Sequence, residues 1–411
     1  MEEPMRKAVI VSLDAFYRAD VDRLNPEGAL AGILRDGTWC RRVETVFPAL
    51  TYPIHATMVT GCDPDRTGVG QNQPFQPGTP KPMRKWYWER KHIRVPTLFE
   101  AVKEAGGNSC SILWPVNCMN PAVRWLFPEV HPLQGESALR KVLHYGTPLY
   151  ILSEERRFGH LRSGISEPGL SDYAAALGAD TIRRKKPDLT AIHLIDLDVA
   201  RHTCGTFSPE ADAAVARNDG RLKDILAALR ETPGMENALL IVVSDHGQED
   251  IRRTVNLTKT LDALGVSRNL QAQSNGMTAY FFPGPEGAGD MAALTALLEK
   301  HRAEMGVSRF YSRAEMDAMH GVEGPVLAAE AEAGTVFSDC LDEEKREKAT
   351  HGFGPGRDAD NCLFAVYGRG VRKGAEIPRM QMRDVGPTIA GLMGLELPEA
   401  QGEDLSSLFL E

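Results

Sequence analysis

Five short apolar runs constrain this chain more than any other feature: AVIVSLD at 8–14, SCSILWP at 109–115, DLTAIHLID at 188–196, ALLIVVSD at 238–245 and CLFAVYG at 362–368. Near-continuous runs of this length, rich in β-branched residues, suit strands buried on both faces. Helical patterns lie between them, in VPTLFEAVKEAG (95–106), SDYAAALGADTIRR (171–184) and DAAVARNDGRLKDILAALRE (212–231). Strands alternating with helices predict an α/β fold: a doubly wound, mostly parallel sheet with helices on both faces. The rhythm breaks from 252 to 350, where TAYFFPG (278–284) reads as a strand and the charged stretch from Met291 to Lys348 reads as helical, with few strand signals. The expected organisation is a core of residues 1–251 and 351–411, with a smaller cap inserted at 252–350.

In an open sheet of this kind, ligands bind beyond the carboxyl ends of the strands. Acidic residues stand at several of those ends: Asp14, Asp196 with Asp198, and Asp245. A single aspartate there often only begins a turn or caps a helix. Several together, each with a histidine or threonine close by, point to chemistry. The 411 residues, 42% of them hydrophobic, suffice for a full core, and a net charge of −9 with no basic stripe excludes a nucleic-acid polymer as partner. A small anionic substrate remains open, because bound metal ions reverse the sign inside a pocket. Asp14 interrupts the first apolar run too early for a signal peptide, and no run approaches the ~20 residues a membrane span needs. With seven scattered cysteines, a reduced, cytoplasmic setting away from membranes is the expectation.

Five pieces can be assembled into one site: Asp14, Thr51 in FPALTYPIH, Asp198 with His202 in DVARH, Asp245-His246 in SDHG, and His351 in THGFGPG. Zinc accepts the nitrogen and oxygen donors they offer, and three protein ligands with an open position is the usual catalytic arrangement. Two such ions about 4 Å apart can bracket an in-line displacement at phosphorus. The D-x-x-x-H spacing by itself says only that two groups share a helix face. A strand ending in adjacent carboxylate and imidazole is more telling, and the glycines around His351 let backbone and ligand approach closely.

This ordered set is similar to that of the alkaline phosphatase superfamily, and FPALTYPIHATMVTG with TGVGQN resembles its nucleotide pyrophosphatase/phosphodiesterase branch. The resemblance runs from about residue 7 to the end, is weakest over 252–350, and includes RDVGPTIAGLMGLELP and the closing GEDL. It implies that Thr51, followed by Tyr52 and Pro53, is the nucleophile. It also implies that Asp198, His202 and His351 hold one zinc ion and Asp14, Asp245 and His246 the other beside Thr51, with manganese as the alternative metal. Asn72 matches the family's donor to a phosphoryl oxygen. Ile54 departs from the family's asparagine before the histidine.

The expected reaction is hydrolysis of a small phosphorylated substrate, a phosphodiester or nucleoside-type pyrophosphate, through a covalent phospho-threonine. Tyr52 stands where relatives stack a base, and Tyr173 is the candidate for the opposite wall, although its pattern equally suits a core-facing helix residue. MRKWYWERKH (83–92) is basic and aromatic and could rim the pocket or form a surface loop. Three rivals stay in view: a phosphonoacetate hydrolase, which needs carboxylate-holding cations; a phosphomonoesterase, for which Arg66 and Lys85 are unplaced cation candidates; and a catalytically degenerate ligand-binding homologue. CDPDR at 62–66 meets the sulfatase pattern but follows the helix that Thr51 begins. The cofactor-independent mutases place their last histidine much nearer the D-H pair than the 351 − 246 = 105 residues found here.

Overall fold

A computed structural model describes residues 5–340 and 347–411. Six strands in chain order carry most of the argument: β1 (Ala8–Leu13), β2 (Thr38–Glu44), β3 (Ser109–Ile112), β4 (Trp125–Phe127), β5 (Leu189–Leu194) and β6 (Leu239–Ser244). They belong to one nine-stranded sheet. β1 lies at its centre, parallel to β5 on one side and to β6 on the other. β3 and β4 continue it in parallel beyond β5, while Asn361–Tyr367 runs antiparallel between β6 and β2. The antiparallel strand has the same apolar composition as its parallel neighbours, so its direction could not be read from the pattern.

The strands are apolar throughout because both faces are covered. Ala8 and Ile10 join the core formed with the helices Thr51–Thr60, Leu98–Glu104 and Met382–Met393. Val9, Val11 and Leu13 face the helices Ala29–Asp36, Gly169–Lys185 and Pro209–Glu231. Successive side chains point to opposite faces of a strand, so one run of β1 feeds two cores.

Between Met291 and Lys348 the structure corrects the helical expectation. Val307–Ser312, Leu327–Ala331, Thr278–Pro283 and Leu270–Ser274 form, in that order, an antiparallel four-stranded sheet, and Thr335–Ser338 is a further strand. LAAEA at 327–331 is made of helix formers, yet it pairs on both sides and is wholly buried; tertiary packing overrides propensity there. The charged run at 341–346 lies outside the described residues. Among the described residues no helix is long and apolar enough to cross a membrane, and all seven cysteines are free thiols.

Candidate metal centre

β1, β5 and β6 end at one rim, since their register sets Leu13 beside both Leu194 and Ser244. Asp14 follows β1 directly, and Asp245-His246 follows β6. The helix Asp196–Cys204 beyond β5 carries Asp198 and His202 one turn apart on one face. Thr51 opens the helix Thr51–Thr60, and His351 directly follows the short strand Ala349–Thr350. There the Met277 N–H donates to the His351 carbonyl at 3.0 Å.

The donor atoms fall into two groups. Asp14, Asp245 and His246 bring ligand atoms within 4.8 Å of one another, as do Asp198, His202 and His351. The rings of His246 and His351 stack with centroids 3.8 Å apart, so the groups are neighbours. Thr51 Oγ lies 3.2 Å from His246 Nε2.

Backbone carbonyls orient all three imidazoles. Nδ1 of His202 donates to Ala349, that of His246 to Gly247 and that of His351 to Ala49, at 2.9, 3.2 and 3.2 Å. Donation through Nδ1 leaves the Nε2 lone pair for a ligand. His246 Nε2 sits 3.4 Å from Asp245 Oδ2 and 3.6 Å from Asp14 Oδ1, and His202 Nε2 sits 3.3 Å from Asp198 Oδ1. Burial pushes His246 down to about 4 and His351 to about 3, so both rings are neutral at neutral pH. Burial would also lower His202, but Asp198 and Glu347 beside it raise it well above the usual value.

The site suits cations. Burial, and then repulsion from Asp245 and Asp198, raises Asp14 well above the carboxylate range, and burial raises Asp245 as well. Asp14 Oδ1 and Asp245 Oδ2 are buried with no hydrogen-bond partner among the described residues. Buried polar atoms are normally paired, and a divalent ion between these oxygens and the facing Nε2 atoms would supply what is missing. Asp245 Oδ1, by contrast, accepts from the N–H groups of Ala15 and His246 at 3.1 and 2.9 Å. Ala15 adopts a left-handed φ of 62° to do so, a strain of the kind that functional sites tolerate.

The remaining sequence candidates divide. Asn72 lines the cavity of about 450 Å³ over the site, together with His202 and His351. Its Oδ1 accepts from the Tyr52 N–H at 3.0 Å, which leaves Nδ2 to donate. The two tyrosine expectations are corrected. Tyr52 is 1% exposed, its ring packed edge-on against Trp86, and Tyr173 is 0% exposed with its ring edge-on to Phe127, so neither offers an open face. Trp86, from the basic aromatic segment, lines the cavity instead, with Lys81, Arg84 and Lys259. Arg84 is engaged by Asp339 at 2.8 Å. Arg66 pairs with Glu399 on the surface and Lys85 does not line the cavity. Asp196 is held by Arg217 and Arg221, both at 2.7 Å. Cys62 is buried, with its Sγ 3.1 Å from the Glu399 carbonyl. Ile54 lies in the core.

Two supporting residues escaped sequence reasoning. Gln248 donates through Nε2 to Asp198 Oδ1 at 2.5 Å, and His193 Nε2 lies 3.0 Å from Asp14 Oδ2. The available signal for His193 was a lone imidazole inside the apolar run of β5.

The family model for type I phosphodiesterase / nucleotide pyrophosphatase matches residues 8–353. An ectonucleotide pyrophosphatase/phosphodiesterase of Caenorhabditis elegans is 24% identical over 270 residues, covering 64% of this chain and 32% of the relative. Human ectonucleotide pyrophosphatase/phosphodiesterase family member 1 is 23% identical, covering 59% of this chain and 23% of its own. The aligned part thus spans a third or less of each of these curated relatives. The structure of murine ectonucleotide pyrophosphatase/phosphodiesterase 5 superposes with a TM-score of 0.73 at 18% identity, covering 98% of this chain and 100% of the other, which shows a common fold. An inactive threonine-to-alanine form of that murine protein, in complex with AMP, superposes equally well.

Proposed function

The chain belongs to the type I phosphodiesterase / nucleotide pyrophosphatase family, and from that membership and the geometry of the rim we propose that it hydrolyses phosphodiesters or nucleoside-type pyrophosphates, with Thr51 as nucleophile and two zinc ions as cofactors. One observation carries the reading. A threonine hydroxyl 3.2 Å from a ring nitrogen stands beside two three-residue donor groups, one of which has two orphaned carboxylate oxygens.

Asp198, His202 and His351 would hold one ion, and Asp14, Asp245 and His246 the other. When bound, the pair supplies Lewis acidity, lowering the pKa of the attacking hydroxyl and neutralising charge on the leaving oxygen. Thr51 Oγ forms a bond to phosphorus as the bond to the leaving oxygen breaks, giving a phospho-threonine. Water then cleaves the Thr51 ester, releases the phosphorylated product and restores the hydroxyl. The positive end of the helix Thr51–Thr60 and the Asn72 Nδ2 both favour negative charge on the non-bridging oxygens.

For the substrate's aromatic part, Trp86 and Phe337 both line the cavity, Trp86 being the less buried, and the AMP complex of the murine relative supports a nucleotide-like ligand. We read 252–350 as a cap, whose strand Leu270–Ser274 and the turn after it supply Gln273, Ser274 and Asn275 to the cavity wall. Free thiols throughout support a cytoplasmic setting.

The test is a panel of bis(p-nitrophenyl) phosphate, p-nitrophenyl phosphate, ATP and phosphonoacetate with zinc-loaded protein and its Thr51→Ala variant. Turnover is expected on the diester and on ATP, and Thr51→Ala is expected to keep its metal while losing at least ~10³-fold in kcat. Undiminished turnover by that variant would refute the mechanism.

A further inference from the structure

We infer that His193, which belongs to neither donor group, is the positioning residue for the ion assigned to Asp14, Asp245 and His246: its Nε2 shares one hydrogen with Asp14 Oδ2 and keeps Oδ1 turned to the metal. The inference rests on the two-metal reading above.

Register places it there. His193 on β5 pairs with Ser12 on β1, two residues before Asp14. It is fully buried, with Nε2 3.0 Å from Asp14 Oδ2 and Nδ1 3.1 Å from the Leu113 carbonyl. Leu113 holds a left-handed φ of 55°, so the backbone is strained at the point where this carbonyl anchors the ring. Asp14 therefore has one oxygen engaged by His193 and the other, Oδ1, buried without a hydrogen-bond partner among the described residues.

The surroundings exclude a competing role. His55, His193 and Asp245 also cluster closely enough to suggest a third metal group. Yet His55 Nδ1 donates to the Thr51 carbonyl at 2.8 Å, and its Nε2 accepts from Ser12 Oγ at 2.9 Å. The rings of His55 and His193 pack with centroids 4.4 Å apart. Both His55 nitrogens are thus engaged, so His55 offers no lone pair and the third group lacks a ligand. The two histidines form a layer behind the site, His55 under the nucleophile's backbone and His193 under Asp14. A neutral His193 has one N–H for two acceptors, and an ionised carboxylate is a stronger acceptor than an amide carbonyl. Once Asp14 holds a cation, that hydrogen goes to Asp14. Partners of this kind fix ligand orientation, and losing one typically costs about 10–100-fold in metal affinity.

The experiment compares wild type with His193→Leu, His193→Asn and His193→Gln, each stripped of metal, checked for a cooperative melt, and titrated with zinc against a chromophoric chelator. The glutamine amide reaches as far as Nε2 and can serve Asp14, whereas the asparagine amide reaches only as far as Nδ1 and can serve Leu113. Two sites of native affinity are expected in wild type and His193→Gln. One site weakened by about 10–100-fold is expected in His193→Leu and in His193→Asn, which keeps the test open should the leucine variant fail to fold. Native affinity at both sites in His193→Asn or His193→Leu would overturn the inference. So would a His193→Gln as weak as those two, since the role would then be ring packing. A wild-type protein that takes up no zinc would remove the two-metal reading itself, a separate and recognisable failure.

Discussion

The Asn72 side chain is divided between two tasks: Oδ1 caps the Tyr52 N–H at the start of the nucleophile helix, and Nδ2 remains for substrate. Asn72→Ala is expected to lower kcat by roughly 10²–10³-fold, the usual loss for one oxyanion donor, which steady-state kinetics on the diester would check. Further along the loop after His351, burial pushes the Asp360 carboxyl up to about 6, above the ordinary 3.8. A raised carboxyl contributes stability that is fully present below about pH 4 and lost as pH rises through the folded value. Asp360→Asn, neutral throughout, is expected to match wild type at about pH 4 and to melt higher above about pH 6; identical melting curves across that range would contradict it. The residues with the strongest chemical signature were legible in the sequence, because adjacent Asp-His at a strand end and Thr-Tyr-Pro at a helix start are unusual combinations. The tyrosines misled, since an aromatic next to a nucleophile reads the same whether its ring faces a cavity or packs beneath a helix.

Among the elements, the hairpin joining Leu270–Ser274 to Thr278–Pro283 bears on the site through its tip. Gly276 sits at φ 79°, and a Cβ there would come within 2.3 Å of the His351 carbonyl. A Cβ at Gly352 would meet the Asn275 carbonyl at 1.7 Å, so the two backbones touch through paired glycines. Glu330, on the same sheet, accepts from the Gly354 N–H at 3.2 Å and from Arg357 at 2.9 Å, holding the loop from its other side. Gly276→Ala is therefore expected to cost about 1–3 kcal/mol of stability and to weaken zinc binding at Asp198, His202 and His351, leaving the other site intact. Chemical denaturation and a two-site zinc titration would show this, and a variant with both sites unchanged would contradict it. Of this support, only the strand in TAYFFPG and the glycines around His351 were visible in sequence. The strands that build it, VSRFYS at 307–312 and LAAEA at 327–331, lack the continuous apolar character that marks the central sheet. They are strands because of their partners.

For the molecule as a whole, the mostly parallel sheet was legible because strands buried on both faces must be apolar along their full length; four of the five such runs are its parallel strands, and the fifth, CLFAVYG, enters antiparallel. The same architecture concentrates Asp14, Asp198 and Asp245 at one buried rim, where their mutual repulsion is costly without cations. Metal should therefore stabilise the fold. With free zinc 100-fold above the dissociation constant, each site adds about 2.7 kcal/mol and the two together about 5.4 kcal/mol, so chelation is expected to lower the melting temperature by about 6 °C; an unchanged melt would argue against tight binding. The most direct measurement is anomalous diffraction at the zinc edge from zinc-loaded crystals. Two peaks are expected, one within coordinating distance of Asp198, His202 and His351, the other of Asp14, Asp245, His246 and Thr51 Oγ. A single peak, or zinc bound away from Thr51, would contradict the account.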